Sequence, residues 1–176
     1  MKICARALAI ALSAGFALPL SAMAQDGSRD YFERYAGPWT GGGQVRVQQL
    51  PAPVDVSCDL DGVVESDTEF SLAGNCSAFL VMSNDIGAQI TLDEATGDYT
   101  GVYTGSKSGP AKLAGSREGD ALDLTVTWNK KIYDDDTAKM RIANTGDGTF
   151  QMTVVEKIDG EDVTVSDLTF EKKAGK

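Results

Sequence analysis

Apolar side chains recur at every second position through most of this chain, and no stretch after residue 36 sustains the spacing of an amphipathic helix. Leu122, Leu124, Val126 and Trp128 share one phase while Asp123, Thr125 and Thr127 take the other. The same alternation runs through Ala138, Met140 and Ile142, through Phe150, Met152 and Val154, and through Val54, Val56, Cys58 and Leu60. Successive side chains of a strand point to opposite faces, so each segment has one apolar and one polar face and is stable only where apolar faces meet. The chain therefore reads as all-β. Further strands are expected at 39–49, 69–74, 78–83, 88–93, 98–104, 111–115 and 162–170, the last with a bulge where the apolar phase slips between Val165 and Leu168.

Turn residues fall between these runs at Ala95-Thr96-Gly97-Asp98, Arg117-Glu118-Gly119-Asp120, Thr145-Gly146-Asp147-Gly148 and Asp159-Gly160, so neighbouring strands are antiparallel. The expected fold is a single antiparallel up-and-down β-barrel of about ten strands, which removes its edges by closing on itself. A two-sheet sandwich is the alternative. Residues Arg29 to Tyr35 suit a short N-terminal helical turn capping an open end of the barrel.

Lys2 and Arg6, the apolar run Ala7 to Leu20 and the small-x-small site Ala22-Met23-Ala24 have the form of a secretory signal. The expected division is a cleaved signal peptide over 1–24, an N-terminal segment over 25–36 and a barrel domain over 37–173, with the mature chain in the periplasm or secreted. Cys4 leaves with the signal. Cys58 and Cys76 then stand alone in an oxidising compartment, where a pair becomes a disulfide. If residues 65–68 make a turn, residue 58 lies opposite 75 or 76 and the bridge is geometrically reasonable.

The formal charge is −10, and losing Lys2 and Arg6 takes it to −12. Such a surface repels phosphate backbones and anionic membranes, which excludes nucleic acid as a natural partner. There is no histidine, so Ser-His-Asp and Cys-His catalysis, histidine-bound haem and most zinc sites are absent. No nucleophile–base pair is visible, and the chain is not expected to be an enzyme, to carry a cofactor or to hold a metal. Asp59-Leu60-Asp61-Gly62 and Tyr133-Asp134-Asp135-Asp136 both lack the ligand spacing of an EF-hand loop. A membrane barrel needs strands of about 9–11 residues and aromatic girdles. Here the expected strands are shorter and aromatics are 7% of the chain.

Gly37-Pro38-Trp39-Thr40-Gly41-Gly42-Gly43 fits the pattern G-x-W-x-G-x-G. It resembles the opening of calycin-type barrels: the G-x-W of lipocalins and, more closely, the start of nitrobindin-like ten-stranded barrels. The resemblance implies that Trp39 closes one end of a barrel whose interior holds a small apolar molecule, with Gly37, Gly41 and Gly43 as the accompanying motif residues. Nitrobindins hold haem through a histidine, so haem ligation does not carry over. The physical reading of Trp39 leaves two roles open, packing or ligand contact; glycine on its strand face permits close backbone approach beside the indole. A second resemblance is to small periplasmic inhibitors of bacterial metalloproteases, eight-stranded barrels with an early G-x-W and one disulfide. Residues 25–36 do not match their inhibitory arm.

The expected function is that of an exported bacterial barrel binding a small apolar molecule, with Trp39, Trp128, Leu124, Met140 and Met152 as ligand contacts. The alternatives are a ligand-free envelope interaction or structural protein, or a protease-inhibitor-like barrel. Between Arg46 and Lys107 no lysine or arginine interrupts ten carboxylates. Asp55, Asp59, Asp61, Glu65 and Asp67 are expected to form an acidic rim that favours cationic or uncharged ligands, while the inward face is expected to carry no lysine, arginine or histidine, and so neither a haem ligand nor a counter-ion for an anionic group.

Overall fold

A computed structural model describes residues 27–79, 82–133 and 135–174. The expected signal peptide over 1–24 lies outside the described residues. A short helix α1 (Ser28–Glu33) precedes ten strands: β1 (Gly37–Val45), β2 (Val54–Ser66), β3 (Glu69–Ala78), β4 (Met82–Asp93), β5 (Asp98–Thr104), β6 (Ala111–Glu118), β7 (Ala121–Ile132), β8 (Asp135–Ala143), β9 (Thr149–Ile158) and β10 (Glu161–Lys172). Each strand pairs antiparallel with the next, and β1 pairs with both β2 and β10, so the sheet closes into a barrel.

The alternation seen in the sequence is the inside–outside pattern of this barrel. Leu122, Leu124, Val126 and Trp128 are all buried, and so are Ala138, Met140, Ile142, Phe150, Met152 and Val154. The outward positions between them are polar and pair across strands, as in Arg141 with Asp123 and Lys139 with Asp162 at 2.9 Å. The expectation of short strands is corrected: β2 has 13 residues and β4, β7 and β10 have 12 each, because the inside–outside alternation continues beyond the apolar runs. A lipid-facing barrel differs instead by an apolar band at those outward positions. Among the described residues no helix is long and apolar enough to cross a membrane.

The expected strand at 78–83 is not a separate element. β3 runs to Ala78 and β4 starts at Met82, and these two residues pair with each other. An apolar run with no glycine or proline reads as a strand, but here the chain reverses through Phe79, whose φ is 47°. The bulge in β10 is present: its register against β9 shifts between Thr164 and Ser166, which keeps both Val165 and Leu168 inside. Cys58 faces Cys76 across β2 and β3, and the two form a disulfide.

Gly41 shows why the motif needs glycine. A Cβ placed there lies 2.1 Å from the Thr169 carbonyl oxygen and 2.9 Å from the Phe170 ring, so β1 and β10 approach more closely than any side chain permits.

Candidate functional site

The two ends of the barrel are built differently. The turns β2–β3, β4–β5, β6–β7 and β8–β9 crowd one end, where α1 enters. Ser28 Oγ donates to the Asp67 carbonyl at 2.7 Å, and Arg29 pairs with the Asp67 carboxylate at 2.7 Å. Arg34 bonds Asp120 at 2.6 Å and the Asn144 carbonyl at 3.0 Å, while Asn144 returns a bond to the Arg34 carbonyl. These ties hold Tyr31, Phe32 and Tyr35 in the barrel, all fully buried. Tyr35 stacks on Phe70 with ring centres 4.6 Å apart, Phe150 stacks on Phe170 at 4.5 Å, and Trp39 meets Phe150 edge-on at 4.8 Å. The Trp39 indole N–H donates to the Tyr35 carbonyl at 2.8 Å. Burial pushes the Tyr31 phenol up to about 12 although it shares a 2.8 Å hydrogen bond with Tyr35. This end is an aromatic plug packed to the barrel axis.

The opposite end receives the end of β1, the 46–53 loop and the tips β3–β4, β5–β6, β7–β8 and β9–β10. Here Val45, Val56, Ile86, Tyr103, Ile132 and Ile158 pack against the core yet are only partly buried. Cross-strand pairing sets small residues beside large ones, with Tyr103 opposite Ala88 and Ala111. That leaves room for Tyr103 and Trp128 to meet edge-to-face, centres 6.2 Å apart. Trp128 Nε1 donates to Glu156 Oε1 at 2.7 Å. Glu156 is 1% exposed, and its second oxygen, Oε2, has no hydrogen-bond partner. Burial pushes its carboxyl up to about 7, against the pull of the Trp128 hydrogen bond and with a small push from Asp135.

Around this mouth the backbone and surface are unusual. Phe79 and Tyr133, both at hairpin tips, have positive φ. Phe79 is 66% exposed, with Met82 and Leu50 also exposed on the same end. Tyr133 donates to the Arg46 carbonyl at 3.4 Å, and Arg46 lines a cleft of about 170 Å³ between β1 and β10 with Gln44, Pro53, Thr164, Val165 and Asp167. The Arg46 Nε is buried without a partner.

The expected contact residues are thus distributed along the barrel rather than gathered. Trp39 sits in the plug and Trp128 at the mouth. Leu124 and Met140 are direct neighbours on β7 and β8 in the barrel's middle, and Met152 lies one strand further on, opposite Ile142 and Leu168. The expected acidic rim is corrected: Asp55, Asp59 and Asp61 are exposed along the outer face of β2, where Asp59 pairs with Lys173 at 2.8 Å, because they occupy the phase opposite to the buried Cys58 and Leu60. The interior also holds an acid, Glu156, which the sequence reading did not single out. The signal for it is in the sequence, since Phe150, Met152 and Val154 put residue 156 on the same inward face.

An interior acid with a raised pKa makes stability depend on pH. Its ionised form is favoured more in the unfolded chain, where the ordinary value is 4.5, than in the fold, where it is about 7. The folded state therefore holds the extra proton, and stability falls as pH rises from about 4.5 to about 7, by an amount on the order of 2–3 kcal/mol. Glu156→Gln removes this component. Chemical denaturation of both proteins from pH 5 to pH 8, roughly spanning the window between the two pKa values, checks it. Parallel profiles for parent and variant would show that Glu156 does not titrate in this window.

No family model matches the chain, and no curated protein matches it in sequence. Solved structures do. The crystal structure of Rv2717c from M. tuberculosis matches with a TM-score of 0.64 at 10% identity, over 84% of this chain and 98% of that one. The S-type phycobiliprotein lyase CPES from Guillardia theta matches with a TM-score of 0.54 at 14% identity, over 84% and 92%. At these identities the likeness is one of fold, and the closed ten-stranded antiparallel barrel fits a calycin-like architecture.

Proposed function

We propose that this chain is an exported calycin-like barrel that binds a small, largely apolar molecule at its open end. The observation that carries the reading is the asymmetry of the core: the aromatic residues of the plug are fully buried, and of the inward apolar side chains left partly uncovered most, among them Val45, Val56, Ile86 and Tyr103, lie at the mouth, with Val64 and Leu92 at the plug end. Apolar groups converging on an opening beside a few polar atoms are the usual chemistry of a small-molecule site. Trp128, rather than Trp39, is then the tryptophan that a ligand meets, with Leu124, Met140 and Met152 forming the floor beneath it. The neighbouring phycobiliprotein lyase gives the fold a precedent as a scaffold for a function beyond structure.

The test separates the two indoles. In a Trp39→Phe variant the fluorescence comes from Trp128, and titration with uncharged aromatic and fatty probes is expected to change it. In a Trp128→Phe variant the same probes are expected to leave Trp39 unaffected. Silence of both variants would overturn the reading and leave a filled barrel. Export is tested by intact mass of the protein from its own host, which is expected to begin at Gln25.

A second reading has its own support. Phe79 at 66% exposure and Met82 at 48% form an apolar tip on β3–β4, as an interaction module of the envelope would present. It predicts that Phe79→Ser abolishes association with a partner protein while the probe titrations stay flat.

A further inference from the structure

The acid at the mouth has one oxygen committed and one unused. Glu156 Oε1 accepts the Trp128 indole N–H at 2.7 Å, while Oε2 meets no donor although the residue is 1% exposed. A buried acceptor without a donor costs free energy that a bound donor would offset.

The surroundings select the charge of that donor. Trp128 and Tyr103 stand together at the same place, and aromatic faces attract cations. The neighbouring charge that acts on Glu156 is Asp135 at the start of β8, also negative. The cations on this end must be weighed against them: Lys107, Lys130, Lys131 and Lys157 are exposed, Lys131 acting on Asp135, and Arg46 is partly buried. It lines the separate cleft between β1 and β10, in company with Asp167, and its field acts on Tyr133, as does that of Glu156. An anionic headgroup at Oε2 would meet a carboxylate and a second carboxylate nearby. A neutral hydroxyl would gain one hydrogen bond and nothing from these fields.

We infer that the mouth takes an organic amine, its ammonium group donating to Glu156 Oε2 and its apolar body lying against Trp128 and Tyr103. The inference rests on the binding reading above and narrows it to a ligand class. The ammonium supplies up to three donors, and the charge-assisted bond to a carboxylate is stronger than one between neutral groups. Binding the cation also relieves the cost of a buried carboxylate standing alone.

A charge series on one apolar body tests it: phenethylamine, phenethyl alcohol and hydrocinnamate, titrated calorimetrically against the full mature protein at about pH 8, where a carboxyl with a value of about 7 is mostly ionised and the amine is still protonated. The amine is expected to bind about tenfold or more tightly than the alcohol, and the carboxylate most weakly. Glu156→Gln is expected to bring amine and alcohol to similar affinity. If the alcohol binds as well as the amine to the unchanged protein, the amine inference is overturned while the open-end reading stands. If the carboxylate binds best, the inference is overturned and Arg46 becomes the recognising group. If none of the three binds and the uncharged probe panel is also silent, both readings fall together.

Discussion

Trp39→Ala is expected to lower the free energy of unfolding by about 3–5 kcal/mol, the range for removing a large aromatic from a packed core. The indole is fully buried, its N–H is spent on the Tyr35 carbonyl, and its ring is packed edge-on against Phe150. Truncation leaves a void within a stack of Tyr35, Phe70, Phe150 and Phe170, and leaves the Tyr35 carbonyl without its donor. Small domains are stable by about 5–15 kcal/mol in total, so this change brings the fold near its limit. Urea denaturation of the variant measures it. Trp39→Phe keeps most of the ring volume and is expected to cost much less; equal losses for the two variants would mean that the hydrogen bond, not the packing, dominates. A loss below about 1 kcal/mol for Trp39→Ala would show that the plug is not a rigid core.

Removing the Cys58–Cys76 bridge is expected to cost roughly 3 kcal/mol, because the bond closes a loop of 18 residues and restricts the unfolded chain. The native state needs little rearrangement on its loss, since the two cysteines already face each other across the β2–β3 ladder and Cys58 is buried. The paired change Cys58→Ala with Cys76→Ala therefore isolates the effect on the unfolded ensemble, and denaturation with and without reductant should give the same difference for the parent protein. Two thiols that alkylate freely without reductant would overturn the bridge itself.

How far residues alone reveal this molecule depends on the range of the interaction concerned. The period-two pattern of Leu122 to Trp128 or Phe150 to Val154 is a local property, and it carries through to the inward face because a strand has no other way to bury such a sequence. The turn residues at 95–98, 119–120, 145–148 and 159–160 separate those strands and make the neighbours antiparallel. Even the register that joins Cys58 to Cys76 follows from a short hairpin turn. The same local logic misled at 78–83, where one apolar run covers the end of β3 and the start of β4, and at Asp55, Asp59 and Asp61, where a cluster in sequence became a row along the outer face of β2.

Glu156 marks the boundary between the two kinds of information. Its inward phase was legible from Phe150, Met152 and Val154, but its partner was not, because Trp128 lies 28 residues away and reaches it across the barrel's interior. Alternation places a side chain inside or outside; it does not say at which end. The sequence by itself determined an all-β chain of about ten antiparallel strands, a disulfide and a motif tryptophan on a glycine-lined strand face. Only the tertiary structure decided that Trp39 belongs to a plug sealed by α1 and Trp128 to the opposite end, beside a half-satisfied acid. The physical reason is that closure brings β1 against β10 and threads the N-terminal helix into one end, and these contacts between distant parts of the chain depend on side-chain volumes meeting in space.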